Sequence, residues 1–246
     1  MASALRNYWF PSVPSAVLEK PWRETVWTNR DQMVEKLRTF PLNDPEFGMI
    51  RILLHGPVGA GKSSFINSVK SVFAGRVVMS VLVASLSDSS FTSKFNPNVF
   101  LTNSKPEYVK DPKLSDKVHC LVSVVSADKM SMISKETTAK MRTVREKARI
   151  LGIPQILVMT TVDTACPEVA RDLKYIYRSK EIKSKMETCS NLLGVPMTCI
   201  LPVKNYHKET QLNNDIDVLV LEAMTKIVEV ANDYIWHLQQ KKKHLS

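Results

Sequence analysis

The chain has 246 residues, of which 44% are hydrophobic and 24% charged, so it resembles an ordinary globular protein that can bury one sizeable core. No apolar run reaches the roughly 20 residues of a membrane-spanning helix, and residues 1–17 lack the apolar centre of a signal peptide, which predicts a cytoplasmic protein. The formal charge of +10 is spread along helix faces without interleaved aromatic residues, so we expect no nucleic-acid partner.

The N-terminal part of the chain precedes the regular elements. Residues 1–20 are interrupted by prolines and predict an irregular arm. Residues 29–40 have the apolar spacing of a short amphipathic helix, for which Asp31 is the expected N-cap. Two aromatic residues are expected to pack beside this helix, Trp22 and Trp27. We therefore assign residues 1–48 to an N-terminal arm with one short helix.

Strands alternate with helices from residue 49 onwards. The predicted strands cover 49–54, 118–125, 153–159 and 197–201. One predicted helix begins near Lys62 and ends by Gly75, and a second ends at Gly152. Two further predicted helices cover 167–193 and 216–235. Such alternation is typical of a parallel sheet covered on both faces. We assign 49–238 to one α/β domain and 239–246 to a basic, frayed tail.

A phosphate-binding motif lies between the first strand and its helix. The segment Gly56-Pro57-Val58-Gly59-Ala60-Gly61-Lys62-Ser63 fills every fixed position of the pattern G-x-x-x-x-G-K-[ST]. Its glycines allow a tight turn that brings backbone N–H groups against phosphate oxygens, and the helix N-terminus adds partial positive charge. We expect Lys62 to reach the β and γ phosphates and Ser63 to bind Mg²⁺, with Ser64 completing the phosphate-binding segment.

The ends of the last two strands indicate the base. One strand ends in Thr160-Thr161-Val162-Asp163, where a carboxylate can accept both the N1–H and the exocyclic amine of guanine. A cap of the next helix explains Asp163 equally well. The last strand ends in Leu201-Pro202-Val203-Lys204-Asn205, where GTP proteins place a loop whose backbone N–H faces guanine O6. The two segments together favour GTP or GDP. The predicted base-binding residues are Thr160, Thr161, Asp163, Val203 and Lys204.

Several segments between residues 21 and 238 resemble the interferon-induced protein 44 and 44-like family. They are PWRETVW, RILLHGPVGAGKSSFINSV, SDSSFT, DPKLSDKVHC, LGIPQILVMTTVDTACPEVARDLKYIYRS and LPVKNY. The resemblance implies a cytosolic, interferon-inducible GTP-binding protein of the antiviral response. It also implies an α/β P-loop NTPase fold, a Ras-like three-layer sandwich with a mostly parallel sheet. Within SDSSFT it places Thr92 as the switch threonine that joins Ser63 at Mg²⁺, although a surface-loop hydroxyl explains Thr92 as well.

The chain lacks one segment that GTPases of this kind carry. A D-x-x-G follows the strand beside their phosphate loop, where the Asp supports Mg²⁺ and the Gly N–H contacts the γ-phosphate. No glycine occurs between Gly75 and Gly152. We hypothesise an internal deletion near 93–117 that removed strands together with switch II. The first strand is then expected at the sheet edge unless residues 76–84 or 98–101 cover it, and efficient hydrolysis is not expected.

Alternatives remain open from the sequence. Asp128, just after strand 118–125, is a second candidate for the metal-supporting carboxylate, less favoured because that strand is expected one place farther from the phosphate loop. The leading function is GTP binding with at most weak GTPase activity. A nucleotide-free pseudo-GTPase scaffold and a P-loop ATPase or small-molecule kinase are the alternatives. Protein partners and homodimer formation are left open.

Overall fold

The computed structural model describes residues 16–42, 49–78 and 117–245. Within these ranges the strands are β1 Ile52–His55, β2 Cys120–Ser126, β3 Gln155–Thr160 and β4 Ile200–Pro202. The helices are α1 Arg30–Arg38, α2 Lys62–Ala74, α3 Lys135–Ile150, α4 Val162–Ala165, α5 Pro167–Arg171, α6 Lys180–Leu193 and α7 Asn214–Leu245. Helices therefore separate every pair of consecutive strands in the described ranges, as the sequence predicts.

The four strands form one sheet in the order β1-β2-β3-β4, and all neighbours are parallel. Leu54 pairs with Val122, and Val124 pairs with Val158. Every residue of β2 is buried, which explains its nearly continuous apolar sequence, because a parallel sheet is covered on both faces. Since the strands are parallel, their carboxyl ends meet at one edge of the sheet. The prediction of a P-loop NTPase-like α/β fold with a parallel sheet is confirmed.

The position of β2 corrects one expectation. We expected this strand to lie one place farther from the phosphate loop, but it pairs directly with β1 over four residues. In the described part of the chain β1 is the end strand of the sheet. Residues 79–84 and 98–101, which we considered as cover for that edge, lie outside the described ranges, as does most of the segment 93–117. At the last described residue before this gap, the Val78 N–H donates to Ser71 Oγ of α2 at 2.8 Å.

The predicted helix over 167–193 is wrong. The chain instead forms α5, a short 3₁₀ turn and α6. Asp172 is extended, and its carboxylate accepts from the Lys174 N–H at 2.9 Å. Ser179 is buried and caps α6 through the Ile182 N–H at 3.1 Å. Asp and Ser side chains can accept hydrogen bonds from backbone N–H groups that would otherwise donate within a helix. They therefore interrupt the helix, although the apolar spacing of the sequence continues through them.

Both ends of the described structure also differ from the prediction. Helix α1 begins after Asn29, and Asp31 lies in its first turn, paired with Arg30 at 2.6 Å instead of acting as the N-cap. At the other end, α7 continues to Leu245, so residues 239–245 extend this helix and form no separate tail. Adding a residue to an existing helix costs far less than nucleating a new one, and α7 is already held by its buried face.

A buried carboxylate holds the N-terminal helix and α7 together. Asp217 of α7 is fully buried and accepts from Arg30 Nε at 2.7 Å and from Tyr206 Oη at 2.6 Å. Burial and the neighbouring Asp217 raise the pKa of Tyr206, so its hydroxyl stays a donor. Trp22 and Trp27 pack against the main core. Their packing beside α1 stays a prediction. Because Tyr206 follows β4, this cluster also fixes the chain beyond the predicted base-binding loop.

Replacing Asp217 with alanine removes the buried acceptor of Arg30 Nε and of Tyr206 Oη, and leaves Arg30 only its exposed partner Asp31. We expect the free energy of unfolding to fall by about 3 kcal/mol, because two donors lose their partner inside the protein. Urea unfolding measures this change. The matched control is Glu229→Ala, which breaks an exposed pair with Lys36 between the same two helices and should cost less than about 1 kcal/mol. Equal losses in the two variants would contradict the role given to Asp217.

Candidate functional site

The predicted phosphate loop lies at the carboxyl edge of the sheet, between β1 and α2. Gly59 and Gly61 have φ angles of +74° and +87°, in the left-handed region that glycine adopts at little cost. The Gly61 carbonyl accepts the first helical bond from the Phe65 N–H at 2.8 Å. Val58 is 56% exposed, whereas Ala60 is buried. Ser63 and Ser64 follow Lys62 in the first turn of α2. The strand, loop and helix thus follow in the order that the motif requires.

The phosphate loop packs closely against the ends of the neighbouring strands. A Cβ atom built on Gly56 would lie 2.1 Å from the Val124 carbonyl oxygen of β2. A Cβ atom on Gly61 would lie 3.0 Å from Asn205 Nδ2 and 3.1 Å from Thr160 Oγ1. No side chain fits at Gly56 without movement of backbone. Packing therefore requires glycine at Gly56, whereas at Gly61 the positive φ favours glycine and an added side chain would need small shifts of Asn205 and Thr160.

Lys62 is held inside the loop. Its Nζ donates to the carbonyl oxygens of Gly56 and Pro57, both at 2.9 Å. An ammonium group has three N–H donors, and within the described residues the third has no acceptor. Burial lowers the pKa of Lys62, because the charged form is partly removed from water. A positively charged donor is thus fixed at the loop with one bond still to make.

Thr160 ends β3 and Thr161 follows it, and both hydroxyls donate to other groups of the protein. Thr160 is fully buried, and its hydroxyl donates to the Ala60 carbonyl at 2.7 Å, with the Val125 carbonyl at 3.2 Å as the longer alternative acceptor. Thr161 has a φ of +56°, and its hydroxyl donates to Asp128 at 2.6 Å. We predicted both as base-binding residues. Their hydroxyls bond to the loop and to the end of β2, and their role in base binding stays a prediction.

Asp128 lies beside the loop at the end of β2. Its Oδ1 accepts from the hydroxyls of Ser126 and Thr161. Burial raises the pKa of Asp128, but these hydrogen bonds outweigh it and lower the pKa below its usual range. The direct pairing of β2 with β1 removes our positional argument against Asp128 as a metal-supporting group. Its Oδ1 is, however, already engaged by two protein hydroxyls.

Asp163 lies in the first turn of α4 and does not cap it. Residue Thr161 occupies the N-cap position. The Asp163 carboxylate lies 3.7 Å from Lys204 Nζ, which binds Glu209 more closely, at 2.8 Å. Burial opposes ionisation of Glu209, yet the His207 N–H and Lys204 lower its pKa to about 2. Asp163 therefore keeps a partly exposed carboxylate with one distant ionic partner. Glu209 was not singled out in the sequence, since nothing in its local spacing marks it.

The loop after β4 is tied to the phosphate loop. The Val203 N–H donates to the Met159 carbonyl at 2.7 Å, so this predicted donor is used within the protein, and the Lys204 N–H is the remaining candidate. Asn205 Nδ2 donates to the Gly61 carbonyl at 3.3 Å, and the Tyr206 N–H donates to Ser68 Oγ at 2.9 Å. Sequence reasoning gave Asn205 and Ser68 no role, although Asn205 lies within the segment LPVKNY.

The predicted metal site is only partly described. Ser63 lies in the first turn of α2, whereas Thr92 falls outside the described ranges. Across residues 16–42, 49–78 and 117–245, no group of three or more His, Cys, Asp or Glu side chains is placed to hold a metal ion. The helices of these same ranges include none with the length and apolar content for a membrane crossing.

Replacing Gly56 with alanine is expected to disrupt the loop. The new Cβ meets the Val124 carbonyl, so strand or loop must shift, and we expect a loss of at least about 2 kcal/mol in the free energy of unfolding. Gly75→Ala is the matched control, since Gly75 also has a positive φ of +68° but nothing lies within 4 Å of its added Cβ. The control should lose only about 1 kcal/mol, from backbone strain. Urea unfolding distinguishes the two, and similar losses would refute the close contact at Gly56.

Comparison with known proteins finds relatives among interferon-induced proteins. No family model matches it. Interferon-induced protein 44 of Mus musculus is 30% identical over 240 residues, which cover 78% of this chain and 57% of that protein. The Homo sapiens protein of the same name is 28% identical and interferon-induced protein 44-like of Homo sapiens is 27% identical, each over 84% of this chain and 57% of the relative. The chain therefore spans little more than half the length of these relatives.

Solved structures give weaker likenesses. The crystal structure of a dimerization-deficient mutant of Toc33 from Arabidopsis thaliana has a TM-score of 0.45 and 15% identity, covering 86% of this chain and 97% of that one. A variant of SsGBP has a TM-score of 0.32 and 14% identity, covering 86% of this chain and 64% of that one. Scores this low do not establish a common fold, which here follows from the parallel sheet and the loop geometry. The relatives named above support the assignment of this chain to the interferon-induced protein 44 and 44-like family.

Proposed function

We propose that this chain is a GTP-binding protein of the interferon-induced, antiviral innate response, and that it binds GTP more readily than it hydrolyses it. The observation that carries the proposal is the position of Lys62, fixed at a glycine loop between a half-buried parallel strand, β1, and the N-terminus of α2. Its interferon-induced relatives support the cellular setting, and we place the protein in the cytoplasm.

The loop offers what a phosphate tail requires. Loop N–H groups and the N-terminus of α2 supply partial positive charge, and Lys62 adds a full charge with one donor still to be used. Mg²⁺, when bound, would neutralise phosphate charge. The hydroxyl of Ser63 has the chemistry to hold it, since Mg²⁺ prefers oxygen ligands, and Thr92 is proposed as a second hydroxyl ligand.

The guanine assignment depends on Asp163. Guanine presents two adjacent donors, its N1–H and its exocyclic amine, and one carboxylate can accept both. Adenine offers no such pair and would leave the carboxylate unmatched. Lys204 lies 3.7 Å from Asp163, far enough for the carboxylate to accept from a base without losing a close ionic bond. We therefore propose GTP and GDP as ligands, with the Lys204 N–H as the backbone donor to guanine O6.

Efficient hydrolysis lacks support among the residues of this chain. The sequence has no D-x-x-G between Gly75 and Gly152, so no such segment positions metal or attacking water. Asp128, the alternative carboxylate, already accepts from two hydroxyls. We propose at most a weak GTPase. A nucleotide-free pseudo-GTPase scaffold is the second candidate, favoured by the absence of that segment.

Thermal unfolding with Mg²⁺ and GTP, GDP or ATP tests the proposal. A ligand present at a hundred times its dissociation constant adds about 2.7 kcal/mol to the stability of the protein that binds it. We expect this stabilisation with GTP and GDP, none with ATP, and its loss in Lys62→Ala. The control Lys70→Ala removes an exposed lysine from the same helix and should still respond. Stabilisation by ATP would indicate an ATPase or kinase, and no response to any nucleotide would indicate the scaffold.

The choice of base is tested separately with Asp163→Asn. An amide offers one acceptor and one donor, so it leaves a guanine donor unmatched but suits xanthine, which has a carbonyl in place of the exocyclic amine. We expect GTP affinity to fall at least about tenfold and xanthosine triphosphate affinity to rise. Calorimetric titration measures both. Glu209→Gln, which removes the negative charge of the closer partner of Lys204, should keep the preference for GTP. An unchanged preference in Asp163→Asn would refute the base assignment.

A further inference from the structure

A second lysine ammonium lies beside the phosphate loop. A Cβ atom built on Gly59, in the middle of the loop, would lie 3.5 Å from Nζ of Lys129. Lys129 comes from the segment that follows β2 and is separated from Gly59 by 70 residues of sequence. No motif in the sequence relates these two positions. Only the pairing of β1 with β2 brings their following segments together.

The backbone around Lys129 is fixed on both sides. The Lys129 N–H donates to the Ser126 carbonyl at 3.3 Å, and its own carbonyl accepts from the Met132 N–H at 3.0 Å. Before it, the Asp128 carboxylate accepts from the hydroxyls of Ser126 and Thr161. After it, Met130 is buried in the main core. The backbone of Lys129, from which the side chain extends, is therefore held at the same edge of the sheet as the phosphate loop.

The charge of Lys129 has no carboxylate partner within ion-pair distance in the described part of the chain. The preceding Asp128 directs its Oδ1 to two hydroxyls, and the charge of Lys129 contributes to the lowered pKa of Asp128 without an ion pair between the two side chains. By contrast, Lys140 on the following helix pairs with Glu136 at 2.7 Å. Lys129 thus adds a second positive charge next to a loop that already holds Lys62. An anion bound at the loop would be attracted by both charges.

We propose that Lys129 is a second phosphate-binding cation, which contacts the triphosphate of the bound nucleotide from the side of Gly59 and favours GTP over GDP. The proposal rests on the function proposed above. GTP carries one more charged phosphate than GDP, so a cation at this position interacts with more negative charge when GTP is bound. Flexible lysine side chains make such point-charge contacts to phosphate.

Affinities for GTP and GDP with Mg²⁺, measured by calorimetric titration of the full chain, test this role. For Lys129→Ala we expect GTP binding to weaken about tenfold and GDP binding to weaken less than about threefold, because the lost attraction depends on ligand charge. Lys129→Arg keeps the charge and should stay within about threefold of the unmodified chain for both nucleotides. The matched control is Lys135→Ala, an exposed lysine at the start of α3.

The outcomes separate this proposal from the one on which it rests. If the unmodified chain binds GTP and Lys129→Ala binds it equally well, Lys129 is an ordinary solvated lysine and the proposal is overturned, while GTP binding stands. The proposal is also overturned if Lys135→Ala weakens GTP binding as much as Lys129→Ala, since the effect is then one of general charge. If the unmodified chain binds no guanine nucleotide, both proposals fail. Thermal unfolding without ligand checks that all variants are equally folded.

Discussion

The contact between the phosphate loop and the ends of β2 and β3 is the constraint on which the rest of the site depends. Gly56 approaches the Val124 carbonyl so closely that no side chain fits there. Thr160, fully buried, donates to the Ala60 carbonyl. These contacts hold the loop on two sides without a ligand, so its N–H groups need little rearrangement to donate to one. Lys62 is placed by the same loop, through the carbonyls of Gly56 and Pro57.

Charged groups gather at this edge because all four strands end there. Lys62 comes with β1, Asp128 and Lys129 with β2, Asp163 follows β3 and Lys204 follows β4. Cations lie at the phosphate loop, and the more distant end of the edge carries the Asp163 carboxylate with Lys204. This distribution suits a ligand with an anionic tail and a base that donates hydrogen bonds, which is the reason for proposing a guanine nucleotide.

A chain of hydrogen bonds connects this edge to the N-terminal helix. Asn205 donates to the Gly61 carbonyl, and the next residue, Tyr206, donates its N–H to Ser68 and its hydroxyl to the buried Asp217. Asp217 in turn accepts from Arg30 of α1. The residues before β1 are thus part of the packing that supports the loop after β4. Residues 16–38 are therefore packed together with the elements that carry the phosphate-loop motif.

The sequence by itself determined the alternation of strands and helices and the phosphate-loop motif with Lys62, because these depend on local spacing. It left Asp163 open between a helix cap and a base-binding carboxylate. It misplaced the helix over 167–193, since capping by Asp172 and Ser179 depends on where their side chains point. Only the tertiary structure decided that β2 lies beside β1, that Thr160 faces the loop and that Lys129 reaches Gly59. Those contacts join residues far apart in the chain, and parallel pairing of strands leaves no trace in the spacing of either partner.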